Sequence, residues 1–221
     1  MRDMQASLMK SPLRCPASSK QSATTRLRAS KILGCLPSRQ LVNLRMTHAQ
    51  QSNDNKNYHL ETKRLFVRPF IAADAKRIVE IFSDSRVSKW VDNSTAMSDE
   101  QARRWVAASF ASIQKHGTCA GAIIEKSTKR MIGWGGIVHP QGTSPEIIYG
   151  LEFCAWGNGY GREIATKIVD DGLSIRQFTR LRATVDPENA ASIKILKSLG
   201  FELISSGLDE SGLPTDVYRL G

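Results

Sequence analysis

The sequence predicts an α/β chain of the α+β type, in which a mixed, mostly antiparallel sheet of about seven strands is flanked by four helices. The first observation behind this prediction is the order of elements that the hydrophobic pattern indicates, β-α-α-β-β-β-α-β-α-β-β. The second is a strand that passes through a glycine-rich loop directly into a helix within residues 146–173. The length of 221 residues and the hydrophobic content of 41% suit one domain with a full core.

The first strand and the first two helices are predicted in the first half of the folded part. Residues 64–68 alternate between apolar and polar side chains, which is typical of a strand. A helix begins at Asp74, because the apolar residues that follow it recur at helical spacing. Ser98 and Gln101 form a capping box that opens the second helix, and Gly117 ends that helix.

The second half of the folded part carries the remaining elements. Strands are predicted at 118–125, 130–138, 146–153, 181–185, 201–205 and 216–220. The first two of these are separated by a Ser-Thr-Lys turn and are predicted to form a hairpin. Helices are predicted at 162–173 and at 189–198, and the latter ends at Gly200.

Residues 1–57 are predicted to be a leader or linker in front of a single domain that spans residues 58–221. Residues 1–45 are rich in Ser, Arg and Lys, hold a single acid and lack a long apolar run, which excludes a secretory signal. Two alternatives stay open: a transit peptide has this composition, or Met46 is the true start, which the missing amphipathic periodicity favours. Residues 46–57 are predicted to be a disordered linker.

The basic charge of the chain belongs to its leader. The formal net charge is +10, but residues 1–56 hold ten Lys and Arg against two acids, which leaves 21 basic and 19 acidic residues in the rest. Nucleic-acid binding by the domain is therefore disfavoured. No stretch approaches the roughly 20 apolar residues that span a bilayer, so no membrane association is predicted.

The four cysteines and four histidines are scattered through the chain without the spacing of a metal site, so no metal is predicted. Isolated cysteines fit a reducing compartment, which predicts a cytoplasmic protein. The localisation becomes mitochondrial or plastid if residues 1–45 are a transit peptide. A monomer or a homodimer is expected.

The glycine-rich loop carries the clearest chemical signal. Gly157, Gly159 and Gly161 stand at alternate positions between a strand and a helix start, where they leave backbone N–H groups unobstructed. Such an arrangement binds anions. The loop is not the dinucleotide fingerprint, which needs glycine where Arg162 stands, and no Gly-Lys-Ser/Thr follows as in a Walker A loop. A glycine-rich turn with no ligand is the alternative.

Residues 146–164 resemble the acetyl-CoA loop of GNAT acetyltransferases, whose pattern is Gln/Arg-x-x-Gly-x-Gly/Ala. Trp156, Gly159 and Gly161 fall on that pattern. The run Trp-Gly-x-Gly resembles the branch that contains the ribosomal-protein alanine N-acetyltransferases. That branch's opening strand and its Asn-x-x-Ser and Gly-Phe segments resemble residues 61–70 and 189–201, in the same order.

The resemblance implies the GNAT fold, in which a splayed central strand pair binds acetyl-CoA as co-substrate. The diphosphate would lie on the loop amides, the pantetheine amides would pair with backbone groups of the splayed strand, and a residue at the start of the last helix would contact CoA. The cofactor-binding residues so implied are Leu151, Phe153, Trp156, Gly157, Asn158, Gly159, Tyr160, Gly161, Arg162 and Asn189.

Three residues are candidates for proton chemistry. Glu146 and Glu152 lie six apart on one strand and so share a face, from which either could hold a relay water that deprotonates the amine. The alternative is that both are ordinary carboxylates at a strand edge. The family's usual acid, a Tyr on the last helix, corresponds to Leu196. Ser192 is the replacement, unless the thiolate leaves unaided or Ser192 is a plain helix-surface hydroxyl.

The resemblance implies an N-acetyltransferase that moves an acetyl group from acetyl-CoA to a primary amine by direct attack. A protein N-terminal amine is the first choice of acceptor. The branch also contains enzymes that act on small amines, so a polyamine or an antibiotic is the first alternative. A CoA-binding sensor or interaction module without turnover is the second, because Leu196 stands in the acid's place.

Overall fold

The computed structural model describes residues 58–92 and 96–221. The strands are β1 (Leu60–Glu61), β2 (Leu65–Pro69), β3 (Ala120–Glu125), β4 (Met131–Val138), β5 (Glu146–Leu151), β6 (Leu181–Val185), β7 (Glu202–Leu208) and β8 (Pro214–Leu220). The helices are α1 (Asp74–Phe82), α2 (Ser85–Asp92), α3 (Asp99–His116), α4 (Tyr160–Asp170) and α5 (Ala190–Ser198). The leader and linker predicted at residues 1–57 lie outside the described residues, so the domain boundary stays a prediction.

The predicted α+β class is confirmed, with one strand and one helix more than the sequence predicts. The strands form a single sheet in the order β1-β2-β3-β4-β5-β6-β8-β7. Neighbours pair antiparallel except β5 and β6, which are parallel. The two unpredicted elements are β1 and α2. A strand of two residues is too short to show periodicity, and α2 has eight residues with few apolar positions.

Two helix boundaries follow the sequence chemistry. The capping box of α3 is formed, since Ser98 Oγ accepts from Gln101 N at 3.2 Å and Gln101 Oε1 accepts from Ser98 N at 2.8 Å. Gly117 ends the helix in the left-handed conformation with φ 71°, which glycine adopts without strain. The helix predicted to reach residue 173 changes to a π-helix at Asp171–Ile175, where Arg176 pairs with the buried Asp171 at 3.3 Å.

The sheet separates two hydrophobic cores. On one face, α4 and α5 cover apolar residues of β4, β5 and β6, and Ile164 and Ile168 of α4 are fully buried there. On the other face, α1, α2 and α3 pack around Trp134 of β4, whose ring is stacked on Phe82 with 4.7 Å between centroids. None of the helices among residues 58–92 and 96–221 is long and apolar enough to cross a membrane.

The pair formed by β5 and β6 splays apart near the centre of the sheet. A single residue pair, Glu146 with Arg182, is in register between them, and Arg182 N donates to Pro145 O at 2.8 Å. From there the strands diverge, as the resemblance implies. The strand predicted at 146–153 ends at Leu151, because the chain turns into a 3-10 helix at Phe153–Ala155.

Candidate active site

The opening between β5 and β6 has a closed end at Glu146 and an open end at the glycine-rich loop. Backbone groups alternate in direction along a strand. Pro145 O faces β6, whereas Glu152 N faces β4, where it donates to Ile132 O at 2.7 Å. The odd-numbered residues of β5 therefore direct their backbone groups toward β6. Among them, Tyr149 and Leu151 face the opening. A ligand lying there can therefore hydrogen-bond to β5 in the way that a strand would.

The loop at the open end presents uncapped helix amides. Gly157 and Gly159 both have φ 76°, a conformation that favours glycine. Gly159 is the N-cap residue of α4 and no side chain caps the helix, so the first amides of α4 have no helical acceptor. Together with the positive end of the helix dipole, they form the anion site that a diphosphate requires. The side chain of Arg162 is exposed in the same turn.

Gly161, the third loop glycine, serves packing. It lies in the first turn of α4 with ordinary helical backbone, and a Cβ there would be 3.3 Å from Ile195 Cδ1 on α5. That is tighter than side chains normally pack, so the glycine lets α5 approach α4. Asn189 begins α5, where its Oδ1 accepts from Ser192 N at 3.1 Å. The first turn of α4 is thus held against α5, the helix that Asn189 begins.

Arg64 holds the loop in place, and the sequence reasoning did not find this role. Its Nη1 donates to Asn158 O at 2.9 Å, its Nε donates to Glu163 Oε2 at 2.7 Å, and its guanidinium lies 4.3 Å from the Tyr160 ring centroid. Burial raises the pKa of Glu163, but hydrogen bonds from Thr62 and Arg64 outweigh this effect and hold the pKa below its ordinary value. The partners are more than 90 positions apart, a separation over which periodicity gives no signal.

A second contact ties the loop to the β3–β4 hairpin. Tyr160 Oη donates to Glu125 Oε1 at 2.6 Å, and Thr128 Oγ1 donates to the other carboxylate oxygen at 2.6 Å. The hydrogen bonds from Thr128 and Tyr160 lower the pKa of Glu125. The start of α4 is therefore fixed on two sides by side chains from the first half of the sheet.

Trp156 binds the backbone carbonyls of Leu151 and Phe153, two of the residues predicted to bind the cofactor. Its indole Nε1 donates to Leu151 O at 2.9 Å, and its backbone N donates to Phe153 O at 3.0 Å. Both carbonyls thus have a partner within the protein, so the backbone amides are the groups that we expect to bind pantetheine. The Phe153 ring also lies 5.2 Å from the Trp156 ring and 3.5 Å from the Arg86 guanidinium on α2.

Glu146 lies at the closed end of the opening. The residue is 7% exposed, and its carboxylate accepts from Thr184 Oγ1 at 2.5 Å and is 3.7 Å from Arg182 Nε. Thr184 and Arg182 point to the face of α1, α2 and α3, since their neighbours on β6 lie in the other core. A buried carboxylate held by a hydroxyl and near a positive charge can accept a proton through a bound water.

Glu152 points to the same face but has a different environment. Its carboxylate forms an ion pair with Arg77 of α1, and Arg130 Nη2 lies 3.3 Å from Oε1. Arg77 also donates to Met131 O at 3.1 Å, which fixes α1 on β4. The two arginines thus engage both carboxylate oxygens of Glu152. The structure therefore favours the plain structural alternative for this residue.

Ser192 lies on the opposite face of the sheet, next to Tyr149. Ser192 is half-buried in the first turn of α5, one turn before Leu196, which is 2% exposed in the core. Burial raises the pKa of Tyr149 to about 12. Ser192 is close enough to Tyr149 to limit this increase in its pKa. The distance and angles between the two hydroxyls nevertheless fall outside those of a hydrogen bond. Glu146 and Ser192 thus approach the opening from different faces.

Within residues 58–92 and 96–221, no group of three or more His, Cys, Asp and Glu side chains is arranged to hold a metal ion. The candidate site contains backbone amides, hydroxyls and carboxylates. Its geometry fits a ligand with a diphosphate at one end and an extended amide-bearing arm, which is the chemistry of CoA.

Comparison with known proteins identifies the family. The sequence pattern described as "Acetyltransferase (GNAT) domain" matches residues 64–202. The uncharacterized N-acetyltransferase p20 of Bacillus licheniformis is 32% identical over 165 residues, which are 72% of this chain and 92% of that protein.

Solved structures share the fold. Mycobacterium smegmatis RimJ in complex with CoA-disulfide has a TM-score of 0.61 and 18% identity, and the match covers 75% of this chain and 88% of that one. The ribosomal-protein-S5-alanine acetyltransferase from Vibrio fischeri has a TM-score of 0.59 and 18% identity, with 74% and 96% covered. The chain belongs to the GNAT family and is an acetyl-CoA-dependent acetyltransferase.

Proposed function

We propose that this chain transfers the acetyl group of acetyl-CoA to the α-amino group of a protein N-terminus. The observation that carries the proposal is the opening between β5 and β6, which leads from the uncapped start of α4 to the buried carboxylate of Glu146. The loop amides and Arg162 bind the diphosphate, and the amides of Leu151 and Phe153 bind the pantetheine arm. Asn189 contributes a further CoA contact at the start of α5.

A carboxylate that acts through water suits an α-amine better than a lysine as the acceptor. An α-amino group has a pKa near 8, whereas a lysine amine has a pKa near 10.4, so the α-amine loses its proton far more readily. The Glu146 carboxylate, which accepts from Thr184, takes the proton of the amine through one water. The solved relative from Vibrio fischeri, which is described as acting on ribosomal protein S5 alanine, supports this class of acceptor.

A small polycation is the first alternative acceptor, and the charges beside the site disfavour it. A polyamine cleft needs uncompensated acids. Three acids whose side chains the structure describes near α1 and α2 have a basic partner: Asp84 pairs with Arg86 at 2.6 Å, Glu188 with Lys89 at 3.4 Å, and Glu152 with Arg77 and Arg130. The acidic segment after α2 includes residues 93–95, which lie outside the described residues.

The experiment is to measure free-thiol release from acetyl-CoA by the full chain with a panel of amines. The panel pairs a peptide that has a free N-terminal alanine and no lysine with the same peptide blocked at its N-terminus and carrying one lysine. Spermidine and an aminoglycoside complete it. We expect release with the free N-terminus and none with the blocked peptide.

Other outcomes would replace the proposal. Release with spermidine or the aminoglycoside alone would establish a small-molecule acetyltransferase. Tight CoA binding without release from any amine would favour the sensor or interaction module, for which the burial of Leu196 in the acid's place is the supporting observation.

A further inference from the structure

The departing thiolate has no obvious stabilising group on α5. When the amine displaces CoA, the electron pair of the breaking C–S bond goes to sulfur, and negative charge develops there. Leu196 is buried in the core and offers no hydrogen-bond donor. Donors placed where charge develops supply a large part of catalysis in such sites, so a donor from another element is to be sought along the opening.

Tyr149 carries a donor without a partner. Within the part of the chain that the structure describes, two tyrosine hydroxyls are buried and lack a hydrogen-bond partner, those of Tyr58 and Tyr149. Buried polar groups are nearly always hydrogen-bonded, so each exception needs a reason. Tyr58 lies in the core beside Gly136 and Cys119, away from the opening. Tyr149 is on β5, on the strand that borders the opening.

The surroundings of Tyr149 place its hydroxyl beside the cofactor's path. Its backbone faces β6, and its ring packs against the core under α4 and α5, where Cε2 is 3.9 Å from the Cβ position of Gly161. Ser192 approaches the same hydroxyl from α5. Tyr149 stands between Leu151, near the loop, and Glu146, at the closed end. A CoA arm that enters at the loop and points toward Glu146 passes the level of Tyr149 on β5.

We propose that Tyr149 Oη and Ser192 Oγ together donate hydrogen bonds to the sulfur of the departing CoA thiolate. This inference rests on the proposed acetyl transfer and adds Tyr149 as a catalytic residue. The amine approaches from the face of Glu146, which takes its proton through water, while the thiolate leaves toward the opposite face. No proton moves from Tyr149 to sulfur; the thiolate departs with the electron pair of the C–S bond and is protonated in solvent.

The state of the Tyr149 hydroxyl suits this role. Burial raises the pKa of Tyr149 to about 12, so the hydroxyl stays protonated at any pH at which the enzyme works. A phenol of that acidity is a poor proton donor to a thiolate, yet it is a permanent hydrogen-bond donor. The neighbouring Ile148 and Gly150 carry no polar side chain, so β5 offers no second donor at this level.

The test compares two chemically identical deletions, Tyr149→Phe and Tyr58→Phe, each of which removes a buried hydroxyl that has no partner in hydrogen-bond geometry. The backbone of Ile137 lies near the Tyr58 hydroxyl, as Ser192 lies near that of Tyr149. Deleting an unsatisfied buried donor is neutral or stabilising. We therefore expect both variants to keep or raise Tm. Tyr149→Phe alone should lower kcat by about tenfold to hundredfold, with KM for acetyl-CoA changed less than about twofold. Ser192→Ala should lower kcat in the same direction.

A second readout needs no amine. The absorbance of the CoA thiolate, followed against pH in the binary complex with each protein, gives the pKa of the bound thiol. In the native protein and in Tyr58→Phe this pKa should lie about one unit below that in Tyr149→Phe. A Tyr149→Phe protein with native kcat and an unchanged thiol pKa would overturn the inference. Loss of turnover in the native protein with every amine would overturn the proposed function instead, while the thiol pKa would still test Tyr149.

Discussion

At the scale of single residues, Gly150 shows how closely the side chains around the opening are packed. A Cβ on Gly150 would lie 2.6 Å from Cε2 of Trp134 and closer still to Cζ2, which is nearer than real contacts allow. The indole is stacked on Phe82 and contacts the Trp105 ring, so its movement away from a Cβ is restricted.

We expect Gly150→Ala to lower the free energy of unfolding by about 1–3 kcal/mol, as overpacked core substitutions do. Chemical denaturation of the variant measures this. Gly207→Ala is the matched control, because Gly207 is also in a strand, has no atom near its Cβ position and does not need a positive φ. Equal stability of the two variants would contradict the packing argument.

We expect Glu146, on β5, to act in catalysis and Glu152, just after β5, to act in stability. Glu146→Gln keeps the hydrogen bond from Thr184 but removes the negative charge, so kcat should fall by about 10²-fold while Tm stays near native. Glu152→Gln weakens the pairs with Arg77 and Arg130, so Tm should fall more than in Glu146→Gln. Both quantities are measured on both variants; a larger loss of kcat in Glu152→Gln would reverse the assignment.

Residue types that act through local chemistry were predictable from the sequence. Gly157 and Gly159 adopt positive φ in the predicted loop, and Asn189 caps the predicted helix. Glu146 and Glu152 share a face, as strand alternation predicts. The environment that distinguishes these two carboxylates comes from Arg77 and Thr184 on other elements, and no sequence period encodes such contacts.

At the scale of elements, Arg64 joins the segment before β2 to the start of α4. The guanidinium joins the segment before β2 to the loop carbonyl of Asn158 and to Glu163 in the first turn of the helix. The anion site therefore depends on Arg64, whose positively charged side chain holds the loop in its conformation.

We expect Arg64→Ala to raise Kd for acetyl-CoA by about tenfold, since hydrogen bonds to charged groups contribute about 1.5–3 kcal/mol. Acetyl-pantetheine lacks the diphosphate, so its Kd should be unchanged in the variant. Titration calorimetry with both ligands measures the difference. Arg104→Ala, an exposed change on α3 that removes the pair with Glu100, should affect neither ligand. An equal loss for both ligands would show that Arg64 acts on the whole fold.

Long periodic elements were predictable, whereas short ones and strand ends were not. The helix α3 was recognised from its caps, which are local features. The strand β5 stops two residues early, because Trp156 turns back to bond Leu151 and Phe153. The splay of β5 from β6 has no periodic signal in the sequence, and only the resemblance to the family implied it.

At the scale of the whole molecule, a stacked histidine pair joins α3 to the end of β4. The rings of His116 and His139 are 4.0 Å apart, and His139 Nε2 is 2.8 Å from Thr118 Oγ1. Burial lowers the pKa of His139 to about 4 from its ordinary 6.5, with smaller contributions from the neighbouring His116 and Lys115.

The folded state thus binds this proton at about pH 4, and the unfolded chain binds it at about 6.5. The free energy of unfolding should therefore decrease as pH falls from about 6.5 to about 4 and should not depend on this group above that range. Melting curves between pH 7 and pH 4.5 measure the effect. In His139→Gln the decrease should be smaller than in the native protein; identical curves would rule out the pair as its source.

The splay of β5 from β6 also has a consequence for the lifetime of the protein. An arm of CoA that bonds to β5 completes the sheet like a ninth strand, so amide hydrogen exchange at Tyr149 and Leu151 should slow when CoA is present. Ligand at about 100 times its Kd adds about 2.7 kcal/mol to stability by mass action. A chain starved of acetyl-CoA would then open more often and be degraded sooner, so that its abundance would follow the supply of its own substrate.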